Sequence, residues 1–200
     1  MQRVKPVLFL AVLFAVGFAA AYSLRIAPQG PRTEGRALIG GPFSLIDTAG
    51  KRVTDRDFRG RLMLVFFGYT NCPDVCPSGL QNVAEVLDKL GPDAKEVAPL
   101  FVTVDPERDT PEALSAYLKN FSPLIAGLTG SPDEIASAAK AYRVYFRKAN
   151  VDRDSYSVDH SAFIYLMDGE GNYLTHFMFN APVDTMVSAI KAHISGGKNS

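Results

Sequence analysis

The stretch Arg61-Leu62-Met63-Leu64-Val65-Phe66-Phe67-Gly68, running on through Cys72-Pro73-Asp74-Val75-Cys76-Pro77 to Leu90, decides how this chain folds. Leu62 to Phe67 is apolar without interruption, a pattern that fits a strand buried on both faces of a sheet rather than one facing water. Beyond the cysteines, Leu80, Val83, Ala84, Val86, Leu87 and Leu90 recur at helical spacing. This predicts a helix over Pro77–Leu90, with Pro77 at its first position and Gly91-Pro92 as its stop. A buried strand that feeds an amphipathic helix is the opening unit of an α/β sheet.

Outward from that unit the alternation continues. Leu100–Val104 reads as a second apolar strand, Pro111–Lys119 as a helix capped by Thr110, and Leu124–Leu128 as a further strand. Ser131 caps a helix over Pro132–Tyr142. Ala162–Met167 and Tyr173–Phe179 flank the turn Asp168-Gly169-Glu170-Gly171-Asn172 as paired strands, and Val183–His193 is a closing helix. On the N-terminal side, Phe43–Asp47 and Lys51–Val53 flank Thr48-Ala49-Gly50, a hairpin in which Gly50 supplies the positive φ. The order βαβ then ββα predicts an α/β, thioredoxin-like three-layer sandwich, with the N-terminal hairpin added and an insert around Pro123–Asn150. Both cysteines then fall just after the first central strand, where open α/β sheets place their sites.

The folded domain is expected over residues 43–196, with 197–200 as a tail. Residues 26–42 hold Pro28, Gly30, Pro31, Gly35, Gly40, Gly41 and Pro42, which is linker composition. Within residues 1–25, Val7–Leu24 runs 18 residues without a charge, enough to span a hydrocarbon core as one transmembrane helix. Ala19-Ala20-Ala21 also fits the end of a cleavable signal peptide; the length favours an uncleaved membrane anchor. Either way the domain is exported. Lys and Arg together number 21, as do Asp and Glu, so no basic footprint for nucleic acid is present.

Cys72 and Cys76 are the chain's two cysteines. Four residues apart on a helical turn, their Cα atoms lie roughly 6 Å apart and their sulfurs share a face. The helix N-terminus favours the thiolate form. A structural disulfide would close too short a loop to add much stability. A redox dithiol and a metal site remain, and spacing alone divides evenly between them. Two thiolates need a third ligand to complete a soft-metal site. His160, in the polar loop Tyr156-Ser157-Val158-Asp159-His160-Ser161, is the candidate because the fold brings that loop opposite the cysteines, although a lone loop histidine is ordinarily structural. His176 reads as a strand surface residue and His193 as a helix C-terminal dipole partner. A Cys2His set suits copper in either oxidation state, and zinc less distinctively. Asp74, Asp105 and Asp159 are candidates to orient His160 or dock a basic partner, though Asp105-Pro106-Glu107-Arg108-Asp109-Thr110-Pro111 also reads simply as a strand-to-helix turn.

With those residues in view, the chain resembles the SCO/SenC family, copper-binding proteins of cytochrome c oxidase assembly. Phe67-Gly68-Tyr69-Thr70-Asn71-Cys72-Pro73-Asp74-Val75-Cys76-Pro77 is similar to the family's cysteine signature, Val102-Thr103-Val104-Asp105-Pro106-Glu107-Arg108-Asp109-Thr110 to its second motif, and Val158-Asp159-His160-Ser161 to its histidine motif. The resemblance covers nearly the whole chain. It implies that Cys72, Cys76 and His160 bind copper (Cu+ or Cu2+) and that the protein is a copper metallochaperone. Its acceptor would be the dinuclear copper centre in the copper-receiving subunit of cytochrome c oxidase, and a periplasmic copper donor would supply it. It further implies a single-pass protein of the inner (cytoplasmic) membrane whose C-terminal domain faces the periplasm. A thiol-disulfide oxidoreductase that reduces the acceptor's copper-ligand cysteines, a redox sensor, and a peroxiredoxin-like peroxidase are the other roles this fold and this cysteine pair accommodate.

Overall fold

The computed structural model describes residues 39–149 and 156–197. The expected anchor, residues 1–25, and the linker as far as residue 38 lie outside the described residues. Among the described residues no helix is long and apolar enough to cross a membrane.

The apolar run forms β3 (Leu62–Gly68), with every residue buried, at the centre of the molecule. It pairs in parallel with β4 (Val97–Thr103), which pairs in parallel with β5 (Ala126–Thr129). On its other side β3 runs antiparallel to β8 (Phe163–Met167), which pairs with β9 (Tyr173–Met178). The hairpin of β1 (Ser44–Asp47) and β2 (Arg52–Thr54) joins the far edge of β5. The described sheet therefore has seven strands in the order β2-β1-β5-β4-β3-β8-β9. Gly50 turns the hairpin at φ +77°, and Asp47 Oδ1 accepts from the backbone N–H groups of Ala49 and Lys51.

Alternation along β3 builds a core on each face. Leu64 and Phe66 pack with Leu80, Val83 and Leu87 of α1 (Val75–Leu90) and with Met186 and Ile190 of α4 (Val183–Gly197). Leu114 and Leu118 of α2 (Pro111–Leu118) close the same layer. Met63, Val65 and Phe67 face the other way, against Ile135 and Ala138 of α3 (Pro132–Ala141) and the following Tyr142. The Phe67 and Tyr142 rings lie 5.3 Å apart. Each of these large side chains contributes about 1.5–3 kcal/mol by burial. Helices on both faces of a mixed sheet, with β3-α1-β4 followed by β8-β9-α4, make the thioredoxin-like fold expected from the sequence.

Two local differences bear on the site. α1 starts at Val75 rather than Pro77, so Cys76 is itself helical; Pro77 is still tolerated because first-turn N–H groups have no intrahelical partner. The segment read as insert and polar loop contains a separate two-stranded ribbon, β6 (Phe146–Ala149) against β7 (Ser157–His160), in which Phe146 pairs with His160 and Arg147 with Asp159. His160 thus ends a strand instead of lying in a loop.

Candidate metal centre

Three chain segments converge at the C-terminal end of β3. Gly68 ends the strand flush against the helix that follows: a Cβ there would lie 2.7 Å from Cys76 Sγ and 2.8 Å from the Phe101 ring. The absent side chain is what lets the Cys76 sulfur sit against the strand end. Cys76 is fully buried, and the Tyr69 N–H points at its sulfur at 3.5 Å. Cys72 is half-buried, and its sulfur accepts from the Cys76 N–H in the first turn of α1 at 3.4 Å.

From the ribbon, His160 brings Nε2 to 3.3 Å from Cys76 Sγ. Its Nδ1 lies 3.1 Å from the Ser161 carbonyl oxygen. A carbonyl can only accept, so Nδ1 is the nitrogen that donates to it, which turns Nε2, the atom a metal would take, toward the cysteines. The Tyr69 ring meets the imidazole edge-on, 5.8 Å between centroids. Cys72, Cys76 and His160 each offer one ligand atom, all within 4.8 Å of one another.

The two sulfurs are electrostatically unlike. The Cys76 S–H hydrogen-bonds the Cys72 sulfur, and this, against the opposing effect of burial, holds the Cys72 thiol well below its ordinary range; His160 and the N–H groups at the helix start add to the effect. The same bond pushes the Cys76 thiol up, as do its burial and the nearby Cys72 thiolate. The helix start, expected from the sequence to favour the thiolate, contributes in that direction, but less than the Cys76 side chain. The two shifts run in opposite directions, toward the thiolate at Cys72 and toward the thiol at Cys76. Such a pair can coordinate a soft ion or attack a disulfide.

None of the three acidic candidates hydrogen-bonds the His160 ring, whose partners are Cys76 and Ser161. Asp159 is exposed and faces Arg147 at 3.8 Å. Asp74 sits at the start of α1, where it accepts from the Ser78 hydroxyl. Asp105 is buried in an ion pair with Arg108 and accepts from the Tyr156 hydroxyl at 2.6 Å. His176 is exposed on β9, as expected, but His193 does not end its helix, which continues to Gly197. The sequence reading missed Asp109, fully buried, which accepts from the Thr70 N–H (3.0 Å), the Thr70 hydroxyl (2.6 Å) and the Thr103 hydroxyl (2.6 Å). Its only signal was its place in a run that also reads as an ordinary turn.

A family model described as SCO1/SenC matches residues 31–195. The chain belongs to the SCO1/SenC family. Among its relatives is "Protein SCO1 homolog 1, mitochondrial" of Arabidopsis thaliana, 44% identical over 83% of this chain and 50% of that one. The chain spans 50, 65 and 63% of the lengths of the plant, human and fission-yeast SCO1 homologues it matches. Among solved SCO structures, Bradyrhizobium japonicum ScoI with copper bound is 45% identical, with a TM-score of 0.73 over 78% of this chain and 99% of that one. BsSco, described through a disulfide switch and as a member of the Sco family of cytochrome c oxidase assembly proteins, is 26% identical, with a TM-score of 0.63 over 76% of this chain and 91% of that one.

Proposed function

We propose that this SCO1/SenC protein binds copper through Cys72 Sγ, Cys76 Sγ and His160 Nε2 and passes it to the copper-receiving subunit of cytochrome c oxidase, for assembly of that subunit's dinuclear copper centre. The observation that carries the reading is the convergence of two sulfurs and one imidazole nitrogen within 4.8 Å, with Nδ1 of the histidine turned to the Ser161 carbonyl and Nε2 left to face the sulfurs. Thiolate and imidazole donors suit copper in both oxidation states. Three donors leave a coordination position open, and Cys72 and His160 are both only partly buried, so an incoming ligand can bind before the ion is released. The copper-bound ScoI relative supports the choice of metal. In the same reading residues 1–25 anchor the protein in the inner membrane, and the domain faces the periplasm, where a donor loads it.

The test is copper titration of the reduced full chain, followed by the sulfur-to-copper charge-transfer absorption. Stoichiometric binding with such a band, weakened or shifted in His160→Ala, is expected. A missing band, or one that is identical in His160→Ala, refutes the ligand set.

One observation favours a second reading. Cys72 is half-buried with its thiol held below the ordinary range, and Cys76, within 4.8 Å of it, is its natural resolving partner, which suits a thiol-disulfide reductase acting on the acceptor's cysteines. The disulfide switch described for BsSco is in keeping with it. Reduction of an oxidised copper-site peptide that needs both cysteines but is indifferent to His160→Ala would favour this role over delivery.

A further inference from the structure

The turn Asp105–Asp109, which reads in the sequence as a plain connection between β4 and α2, touches both arms that supply the proposed ligands. On one side, Arg108 Nη1 donates to the Tyr156 carbonyl at 3.0 Å, and the Arg108 guanidinium stacks 3.7 Å from the centre of the Tyr156 ring. Asp105 pairs with Arg108 Nε and accepts from the Tyr156 hydroxyl. Lys148 Nζ, across the ribbon, reaches Glu107 at 2.6 Å. Tyr156 leads directly into β7, which ends at His160. On the other side, Asp109 holds the N–H and hydroxyl of Thr70, two residues before Cys72.

The turn is braced internally. The Thr103 hydroxyl accepts from the Asp105 N–H at 2.9 Å and donates to Asp109, and the N–H groups of Arg108 and Asp109 both return to the Asp105 carbonyl. A braced element that holds two others fixes their separation. The ribbon is not a member of the seven-stranded sheet, and the register of His160 is with Phe146 of the ribbon rather than with a strand of that sheet, so the ribbon's own placement matters for the centre. Arg108 Nη2 is buried with no hydrogen-bond partner among the described residues, which is a reason to ask what the position of this arginine serves.

We infer that the turn Asp105–Asp109 is the positioning element of the centre: Arg108 and Asp105 hold the histidine arm, Asp109 holds the cysteine arm, and together they set the distance of His160 from Cys72 and Cys76. This rests on the copper reading for its purpose, but its geometry is measurable without metal. Arg108 and Asp109 are positioning residues, since neither offers a ligand atom. Lysine cannot replace Arg108, because the donor fork and the flat stacking face are lost together.

The experiment compares the full chain with Arg108→Lys and Asp109→Asn, metal-free and copper-loaded. In metal-free protein, Arg108→Lys is expected to speed amide hydrogen exchange in residues 156–160 at least tenfold and to leave the rate of Cys72 alkylation within twofold of wild type. Asp109→Asn is expected to do the reverse, changing Cys72 alkylation more than threefold with the ribbon protected as before. After copper(II) loading, Arg108→Lys is expected to lose nitrogen hyperfine coupling while keeping the thiolate absorption. If Asp109→Asn does not fold, Thr70→Val removes one donor from the same clamp and takes its place. Equal effects of both variants on both arms, or an unaltered ribbon in Arg108→Lys, overturn the inference. If wild type binds no copper, the copper reading fails while the exchange and alkylation data still decide the positioning role. If wild type binds copper and Arg108→Lys keeps wild-type exchange and nitrogen coupling, the positioning role fails alone.

Discussion

Gly68→Ala tests whether the centre depends on the close approach of strand end and helix. The added methyl would stand 2.7 Å from Cys76 Sγ and 2.8 Å from the nearest Phe101 carbon. Ordinary contact begins near 3.5 Å, so one of the partners must shift by about 0.8 Å. Neither is a flexible chain end: Cys76 is fixed in the first turn of α1, and Phe101 is buried with its ring against Phe66. Overpacking of this kind costs about 1–3 kcal/mol of stability. The consequence for the metal is separate, because coordination distances tolerate only about 0.2 Å. A sulfur displaced by several times that amount should lower copper affinity on the scale seen for disturbed supporting groups, about 10–100-fold. That corresponds to about 1.4–2.7 kcal/mol. Competition with a copper chelator measures the affinity, and urea unfolding of the same preparation measures the stability. A folded Gly68→Ala protein that binds copper within twofold of wild type would refute the reasoning.

Further outcomes follow from the same geometry. Cys72 is held in the thiolate form, and a depressed pKa leaves the thiolate in place as pH falls; alkylation at pH 6 is therefore expected within threefold of its rate at pH 8.5, where an ordinary thiol would slow more than a hundredfold. A rate that follows an ordinary thiol contradicts the depressed pKa. Cys76 must shed its proton to bind metal, so calorimetry in buffers of different ionisation enthalpy should find about one proton released per copper ion, and affinity should rise about tenfold per pH unit between pH 7 and 8. Oxidation to a Cys72–Cys76 disulfide removes both sulfurs as thiolate donors, and the oxidised chain should bind copper at least a hundredfold more weakly by chelator competition; tight binding would exclude the cysteines as ligands. Asn82 Nδ2 ties α1 to the chain after β9 by donating to the Phe179 and Ala181 carbonyls, so Asn82→Ala should lower unfolding free energy by about 1–3 kcal/mol in urea, and an unmoved midpoint would count against that tie.

What can be read from the sequence is whatever has an apolar run or a period. β3 announces itself as an unbroken apolar run and α1 as a 3.6-residue repeat, and together they place the cysteines at the sheet end. The capping residues Thr110 and Ser131 mark two helix starts because their hydroxyls accept N–H groups within their own turn. The ribbon had no such signal. Phe-Arg-Lys-Ala and Ser-Val-Asp-His are too short and too polar to show alternation, and their pairing is set by contacts about ten residues apart and by the burial of Val158. The expected strand at Leu124 likewise starts later, at Ala126, leaving Leu124 largely exposed. His160 was found because the fold predicted which loop faces the cysteines. Within its support, the turn Asp105–Asp109, Asp105 stands among the sequence's candidates to orient His160, but Asp109 does not, because a buried aspartate that organises a neighbouring loop has the same local pattern as one that merely caps a helix.

The three proposed ligands differ in what holds them, and this bears on how an ion would leave. Cys76 is set by a helix, by the space above Gly68 and by complete burial, so moving it means moving the core. Cys72 and His160 are only partly buried, and each ends or follows a segment braced from outside the main sheet rather than packed within it. On the delivery reading, an acceptor's ligands approaching the open position would compete first with Cys72 and His160, whose displacement leaves the core intact, while Cys76 would retain the ion until the new set is complete. Rigidity at one donor and accessibility at the other two would hold the ion through such an exchange without trapping it, which a site built of three core-bound ligands could not do.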